Sequence, residues 1–468
     1  MPIPVVTVEE MRSWERHSWE AGAREDDVIR QVGHCIAGTV REGTLPGSRI
    51  LVLAGRGNNG ADALATVPPL APDFRIETLR ILSPASQRDE LARALEARPD
   101  LILDGLFGIG LNRDLDPEWV HLIHQVNESG LPILALDVPS GLDADTGLPR
   151  CAAIRATTTL TVGAPKVGLL HPEALPFVGR LEVAHRVGLV GNPTGTRGLQ
   201  WTLAEEFIEE PRRPVDSHKG TFGHAVLIAG SVGYSGAAVL SARAAARALP
   251  GLVSVLTPEE VWSTVASQLA TPMVHPYSPA HRLLEGATAL LVGPGLASDS
   301  IRDALRSEVE RIWDGFPGPM VVDASALDWI PRRPARQGLR ILTPHPGEAA
   351  RLLGVSAPEI QADRVGSLRS IAQRQGAVVV LKGHQTLVGE STGPVFVNPS
   401  GNPGLAQGGT GDVLAGYLVG LLAQNAHASH PVQTCRRAVW KHGAAADRLE
   451  RRCRNWTAEE LAEELGRV

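Results

Sequence analysis

The sequence predicts an α/β protein made of two successive domains, each a largely parallel sheet layered between helices. Three observations carry that expectation. Short apolar runs recur along the chain and end in Gly-, Asn- or Asp-bearing turns, the pattern of buried parallel strands whose carboxyl ends open into ligand loops. Helical stretches rich in alanine and leucine lie between those runs. The 468 residues exceed one ordinary core, while 49 glycines, 35 prolines and only 4% aromatic residues suit many tight strand-to-helix turns.

In the first domain, residues 1–200, strands are expected at Arg49–Ala54, Leu101–Asp104 and Ile133–Val138. In the second, residues 201–468, they are expected at Ala225–Ala229, Leu252–Leu256, Leu290–Gly293, Met320–Asp323, Ile341–Thr343 and Val378–Leu381, with helices over Gly236–Leu249 and Gly411–Gln424. Between the two series, Gly188 to Asp216 carries the breakers GNPTGTRG and PRRP around a short acidic segment, which puts the boundary near residue 200.

Composition narrows the function class. The net charge of −6 is mild and no Lys/Arg block is long enough to form a basic face, so neither nucleic acid nor a membrane surface is expected as a partner. Cys35, Cys151, Cys435 and Cys453 lie far apart with no CxxC pair, which argues against a disulfide framework or a zinc site and for reduced thiols in the cytoplasm. The N-terminus turns acidic before a signal-type apolar core forms, and no apolar run approaches the ~20 residues of a membrane span. Only four lysines occur, Lys166, Lys219, Lys382 and Lys441, the other basic residues being arginine. Where arginine dominates, a remaining lysine marks a place that needs a compact point charge. Lys441 lies outside every motif and reads as a solvated helix position.

Residues Asn398 to Gly416 read NPSGNPGLAQGGTGDVLAG, a Gly-rich turn leading into an apolar helix. Backbone N–H groups, the positive end of the helix dipole and small side chains together make an anion hole. Asp412 at its rim can take a proton from a hydroxyl facing a bound phosphate, and can equally cap the helix. Lys382-Gly383-His384-Gln385-Thr386 ends a strand with an ammonium and a hydroxyl suited to a nucleotide phosphate or ribose. His345 is fixed between two prolines in PHPGE. With Ala229–Ala238 and Gly293–Leu296 these are all strand-end loops, able to converge on one face of a sheet.

Over about residues 212–450 these motifs resemble the ADP/ATP-dependent NAD(P)H-hydrate dehydratases, a branch of the ribokinase-like kinases. The resemblance implies a ribokinase-like three-layer α/β/α fold, Asp412 as catalytic base, and hydrate contacts at Ala237, Gly295, His345 and Asp412. It assigns Lys382, Gly383, His384, Gln385, Thr386 and Gly411 to ADP or AMP. Mg²⁺ and ADP or ATP as phosphoryl donor come with it.

In the first domain, Leu51 to Asp62 reads as strand, Gly-rich turn and helix, by itself a weak dinucleotide signal. Asn59, Asp104 and Ser140 offer amide, carboxylate and hydroxyl oxygens at strand ends, ligand types that hard cations take. Asp62, Asp104 and Asp137 can also serve as caps or loop-ordering carboxylates. With GLFGIGLNRD, LDVPSGLD and GAPKVGLL, most of residues 1–190 resembles the NAD(P)H-hydrate epimerase domain, the Rossmann-like three-layer YjeF N-terminal fold. That resemblance implies K⁺ on Asn59, Asp104 and Ser140. It implies substrate contacts at Asn58, Asn59, Gly60, Ala61, Asp62, Gly108, Ile109, Gly110, Leu111, Asn112, Arg113, Asp114 and Asp137, the last also doing acid/base work.

One turn departs from that family: Ala61 replaces the second of two glycines. If position 61 needs a positive φ, alanine strains it by about 1–2 kcal/mol and weak epimer exchange is expected. Pro68 and Pro69 are expected to cut the following helix short.

The two resemblances imply repair of hydrated NADH and NADPH. The S hydrate would be dehydrated at the expense of ADP or ATP, and the R and S epimers interconverted, by a homo-oligomer. The alternative is a ribokinase-like sugar or hydroxymethylpyrimidine kinase whose first domain binds a nucleotide without catalysis.

Overall fold

A computed structural model describes the chain except residues 196–197, 208–212, 279–281 and 298, with 299–304 described in their backbone alone. Parts of GNPTGTRG, PRRP and the acidic segment between them therefore lie outside the described residues. The chain forms two compact units, Ile3–Trp201 and Thr202–Val468 with Met1–Pro2.

Among its described residues the first unit holds a sheet of six parallel strands, β1 (Arg49–Ala54), β2 (Arg75–Arg80), β3 (Leu101–Gly105), β4 (Ile133–Leu136), β5 (Thr158–Val162) and β6 (Arg180–Ala184), in the order β2-β1-β3-β4-β5-β6. Alternation along β1 builds three layers. Ile50, Val52 and Ala54 join a core with Val32, Ile36 and Ala63, whereas Leu51 and Leu53 join another with Leu91, Ile123 and Val126. Helices α1 (Val8–Glu20), α2 (Glu25–Gly43) and α3 (Asn58–Ala65) belong to this unit, α1 starting in a capping box between Thr7 and Glu10. As Pro68 and Pro69 imply, α3 stops at Ala65, and a separate turn, Val67–Leu70, carries the prolines in its first positions.

Strands β2, β5 and β6 went unanticipated. β2 is an edge strand with most side chains exposed, and β5 carries three threonines, so neither reads as an apolar run.

The second unit has nine strands among its described residues: β7 (His224–Ile228), β8 (Leu252–Thr257), β9 (Met273–Pro276), β10 (Ala289–Val292), β11 (Met320–Val322), β12 (Arg340–Leu342), β13 (Val378–Leu381), β14 (Leu387–Gly389) and β15 (Val395–Val397). Their order is β15-β14-β13-β12-β11-β10-β7-β8-β9, parallel from β13 to β9, with β14 antiparallel to both neighbours. Helices α4 (Ser235–Arg247), α5 (Pro346–Leu353), α6 (Thr410–Leu422) and α7 (Pro431–Arg452) frame its site.

Helix α6 is apolar all round because it is buried all round, its core partners coming from α4, α7 and the sheet. Its backbone lies against α4 so closely that a Cβ at Gly416 would stand 2.1 Å from the Ser241 carbonyl oxygen. Two sequence expectations change here. Gly409, with φ +96°, caps α6, so Asp412 is the third residue of the first turn and does not cap. Lys441 is buried, not solvated, and donates to the Val468 carbonyl oxygen at 2.9 Å, because the inner face of α7 is covered by the C-terminal segment. No helix of the described residues is long and apolar enough to cross a membrane, and all four cysteines are free.

Candidate active sites

In the second unit the chain leaves β7 toward β8 and β9, then returns to β10 on the other side of β7. The loops after β7 and β10 diverge there, opening a crevice at the carboxyl ends of the strands. Gly230 N donates to the Pro294 carbonyl at 2.8 Å and Ser231 Oγ to the Gly295 carbonyl at 2.6 Å, which locks the two loops together. Gly295 has φ +66°, and a Cβ there would stand 2.8 Å from Ala237 Cβ and 2.6 Å from the Tyr234 carbonyl oxygen. The two expected hydrate contacts, Ala237 and Gly295, thus meet at a point where no side chain fits.

The start of α6 faces a cluster of charges. The amides of Gly411 and Asp412 have no acceptor among the described residues, as the first turn of a helix dictates. A Cβ added at Gly411 would lie 3.5 Å from Lys382 Nζ, so this ammonium stands beside those amides. Lys382 donates to Asp323 Oδ1 at 2.8 Å and lies 3.8 Å from Glu348 Oε2. Burial pulls the Lys382 pKa down, but Asp323 and Glu348 outweigh it and hold the pKa above its usual value. The Asp412 carboxylate makes no hydrogen bond among the described residues. Burial and then the Asp323 charge push its carboxyl up to about 7, against the pull of Lys382.

His345 serves first as a cap. Its Nδ1 accepts from Gly347 N at 3.0 Å, Glu348 Oε2 accepts from His345 N at 2.8 Å, and the ring stays half exposed toward solvent. The Lys382–Thr386 loop is held in a costly shape, with Gln385 at φ +52°. Arg364 supports it by donating to the carbonyls of Leu381 and Gln385, each at 3.3 Å, and of His384.

In the first unit the corresponding crevice opens between β1 and β3, where Gly55 N donates to the Gly105 carbonyl at 3.0 Å. Asn59, Asp104 and Ser140 come together around Phe107. Ser140 donates to Asp104 through Oγ at 2.6 Å and through its amide at 2.8 Å, while Phe107 N donates to Ser140 Oγ at 2.8 Å. Asn59 Nδ2 donates to the Phe107 carbonyl at 2.7 Å, which leaves its buried Oδ1 without a hydrogen-bond partner. Burial raises the Asp104 carboxyl to about 6 against the hydrogen bonds from Ser140.

Asp137 follows β4 with φ +64°, a left-handed conformation rare for a residue with a side chain. Its Oδ1 accepts from Lys166 Nζ at 2.5 Å, and Lys166, 1% exposed, also donates to Thr161 Oγ1 and the Val162 carbonyl. Asp62 is pushed up to about 7 by burial, then by the charges of Asp137 and Glu15. A Cβ at Gly108 would be 3.4 Å from both Asn59 Cγ and Asp137 Oδ2, so the start of that loop covers the cluster. Its tip does not: Asn112, Arg113 and Asp114 are exposed and make no hydrogen bond or ion pair among the described residues. Gly60 is buried, Ile109 and Leu111 half-buried, Gly110 exposed; Asn58 donates to Glu25 Oε1 at 3.0 Å. Ala61 lies inside α3 and has no positive φ, so the expected strain is absent.

A model of NAD(P)H-hydrate dehydratases matches residues 225–467, and a model of YjeF-related protein N-termini matches residues 73–168. A bifunctional NAD(P)H-hydrate repair enzyme of Coxiella burnetii is 35% identical over 469 residues, covering 94% of this chain and 93% of its own. That of Escherichia coli K12 is 35% identical over 496 residues, covering 100% of this chain and 94% of its own. The chain belongs to the bifunctional NAD(P)H-hydrate repair enzymes. A solved ribokinase-like superfamily protein of Enterococcus faecalis, 26% identical with a TM-score of 0.51, covers 59% of this chain and 97% of its own, in keeping with a ribokinase-like second unit. Membership favours the repair reading over the alternative of a sugar or hydroxymethylpyrimidine kinase.

Some residues that complete these clusters of the repair enzyme were not singled out from sequence. Asp323 and Glu348 ended a strand and a quoted motif, yet nothing local paired them with Lys382. Lys166 was flagged by the scarcity of lysine, but its partner Asp137 is 29 positions away. Glu15 comes from α1, and no motif marks it.

Proposed function

We propose that the second unit's site removes water from the hydrated nicotinamide ring through phosphorylation by ADP or ATP. Asp412 accepts the proton of the C6 hydroxyl as that oxygen bonds to the terminal phosphorus and the bond from phosphorus to the departing nucleotide oxygen breaks. The ring nitrogen then expels phosphate from C6, and loss of a proton from C5 restores the reduced nicotinamide. The observation that carries this reading is the pair of unpartnered amides at Gly411 and Asp412 beside Lys382, an anion hole with a carboxyl of pKa about 7 at its rim. Lys382, Gly383, His384, Gln385 and Thr386 hold the nucleotide, and Ala237, Gly295 and His345 the hydrate. Most of the acceleration comes from positioning and charge neutralisation.

Mg²⁺ suits this site through oxygen donors. Asp323, Glu348 and Asp412 converge on Lys382, but no group of three or more His, Cys, Asp or Glu among the described residues has metal-holding geometry. Mg²⁺ would therefore be held mainly by nucleotide phosphates and water, supplying charge neutralisation at the transferring phosphoryl. K⁺ suits the first unit, where the unpartnered, buried Asn59 Oδ1 joins Asp104 and Ser140. There Asp137, tied to Lys166, does the acid/base work of epimer exchange, with Asp62 and Gly108 against the substrate. We place the enzyme in the cytoplasm, as a homo-oligomer.

The test is to give the enzyme hydrated NADH with ADP and Mg²⁺ and to follow inorganic phosphate and the reduced-nicotinamide absorbance together. Equal release of phosphate and NADH is expected. A stable phosphorylated product in place of free phosphate would overturn the reading.

A further inference from the structure

The anion hole is fastened from outside by α7. Ser400 Oγ donates to the Trp440 carbonyl at 2.8 Å, and Asp447 accepts from Gly401 N at 3.0 Å and Asn402 Nδ2 at 3.1 Å. These bonds tether the turn that precedes α6. His442, on the same helix, does something different: its Nε2 lies 2.9 Å from the carbonyl oxygen of Thr410, inside the GGTGD motif itself. A carbonyl only accepts, so Nε2 carries the proton. Burial pushes the ring pKa down to about 4, which keeps it a neutral donor across the working range.

The Thr410 carbonyl and the Gly411 amide belong to one planar trans peptide and point in opposite directions. Fixing the oxygen on one side fixes the N–H on the other. We infer that His442 is a positioning residue of the dehydratase, which aims the Gly411 amide at the nucleotide phosphate by holding the Thr410 carbonyl. Donation to that carbonyl also polarises the peptide, which strengthens Gly411 N–H as a donor. His442 touches neither nucleotide nor hydrate and acts only through this peptide. The inference rests on the reading that Gly411 meets the phosphate.

The test uses the full chain and three variants. His442→Phe keeps the ring volume without the donor, His442→Gln returns a donor at similar reach, and Gly411→Val obstructs the phosphate position directly. ADP affinity by titration calorimetry should fall about tenfold or more in His442→Phe, with the KM for hydrate within about twofold, and recover in His442→Gln. If the phenylalanine variant does not fold, His442→Asn, too short to reach the carbonyl, takes its place in the comparison. Normal ADP affinity in His442→Phe alongside weakened binding in Gly411→Val would overturn the role of His442 alone. Normal affinity in both would overturn the anion-hole reading and this inference with it.

Discussion

The two units are built from similar parts, and they differ in how open the lysine of each is to solvent. Each sets its site at the point where strand order reverses in a parallel sheet. Each holds a lysine against an aspartate, Lys166 with Asp137 and Lys382 with Asp323, and each lifts a second carboxyl to about 7, Asp62 and Asp412. In each, the backbone at or just after the lysine's partner is left-handed, at Asp137 and at Ala324. Yet the Lys166 side chain is 1% exposed and Lys382 is 19% exposed. A sealed ammonium has one task, to hold Asp137 in place. An open one beside unpartnered amides can also meet an incoming phosphate. The same pair is thus a fixture in one unit and, in the function proposed for it, part of a receiving site in the other.

The sharpest way to break that comparison is to remove each ammonium. Lys166→Met leaves a buried, unpaired carboxylate at Asp137, and such a change costs about 3–5 kcal/mol. We expect denaturant unfolding to lose that much stability and epimer exchange to disappear. Lys382→Met strands Asp323 and Glu348, whose side chains are 2% and 7% exposed, so it should cost a similar amount, about 3–5 kcal/mol, while nucleotide affinity collapses. Nucleotide affinity left intact by Lys382→Met would mean that the more open ammonium is a fixture as well.

Next in size is Asp412→Asn, which keeps the shape of the side chain and removes the proton acceptor. Dehydratase turnover should fall by about 10²-fold or more with ADP affinity little changed. In the unmodified enzyme kcat/KM should rise with pH through about 7, as Asp412 loses its proton, and level off above it. Stability runs the other way. The folded pKa lies above the unfolded value, so the contribution of this carboxyl is full below about pH 4 and is lost as pH rises through 7. Asp412→Asn should therefore be the more stable protein at pH 8 and gain nothing at pH 4. A variant with near-normal turnover, or no pH-dependent gain, would take the base assignment away from Asp412.

What the sequence made legible follows from how local each signal is. The apolar strands β1, β3, β7, β8 and β13 and the GGTGD helix announce themselves within a few residues, because burial on both faces demands continuous Val, Ile and Leu. Edge strand β2 and threonine-rich β5 carry no such mark. The same limit governs the sites. Asn59, Asp104 and Ser140 sit in quoted turns and do come together, whereas the Asp323–Lys382 pair joins residues 59 apart through the sheet alone. Lys441 misled for the opposite reason: a lysine amid arginines on an amphipathic helix looks solvated until the C-terminal segment covers it.

The smallest predicted effect is also the one on which sequence and structure disagree. A family turn with two glycines suggests that Ala61 is strained and that Ala61→Gly would improve epimer exchange. The strain argument holds only for a positive φ, and Ala61 has none. It sits in α3, its amide donating to the Gly57 carbonyl at 3.1 Å, in the conformation where alanine is the best of all residues. Glycine there would free the unfolded chain and loosen the helix that carries Asn59 and Asp62, at a cost of about 1 kcal/mol. We therefore expect Ala61→Gly to lower the melting temperature of the separated first unit slightly, with potassium-dependent exchange between R and S hydrates unchanged or slower. A faster exchange with no loss of stability would mean that the turn needs glycine for its motion and not for its resting shape, and that the first unit's site opens in a way the second unit's does not.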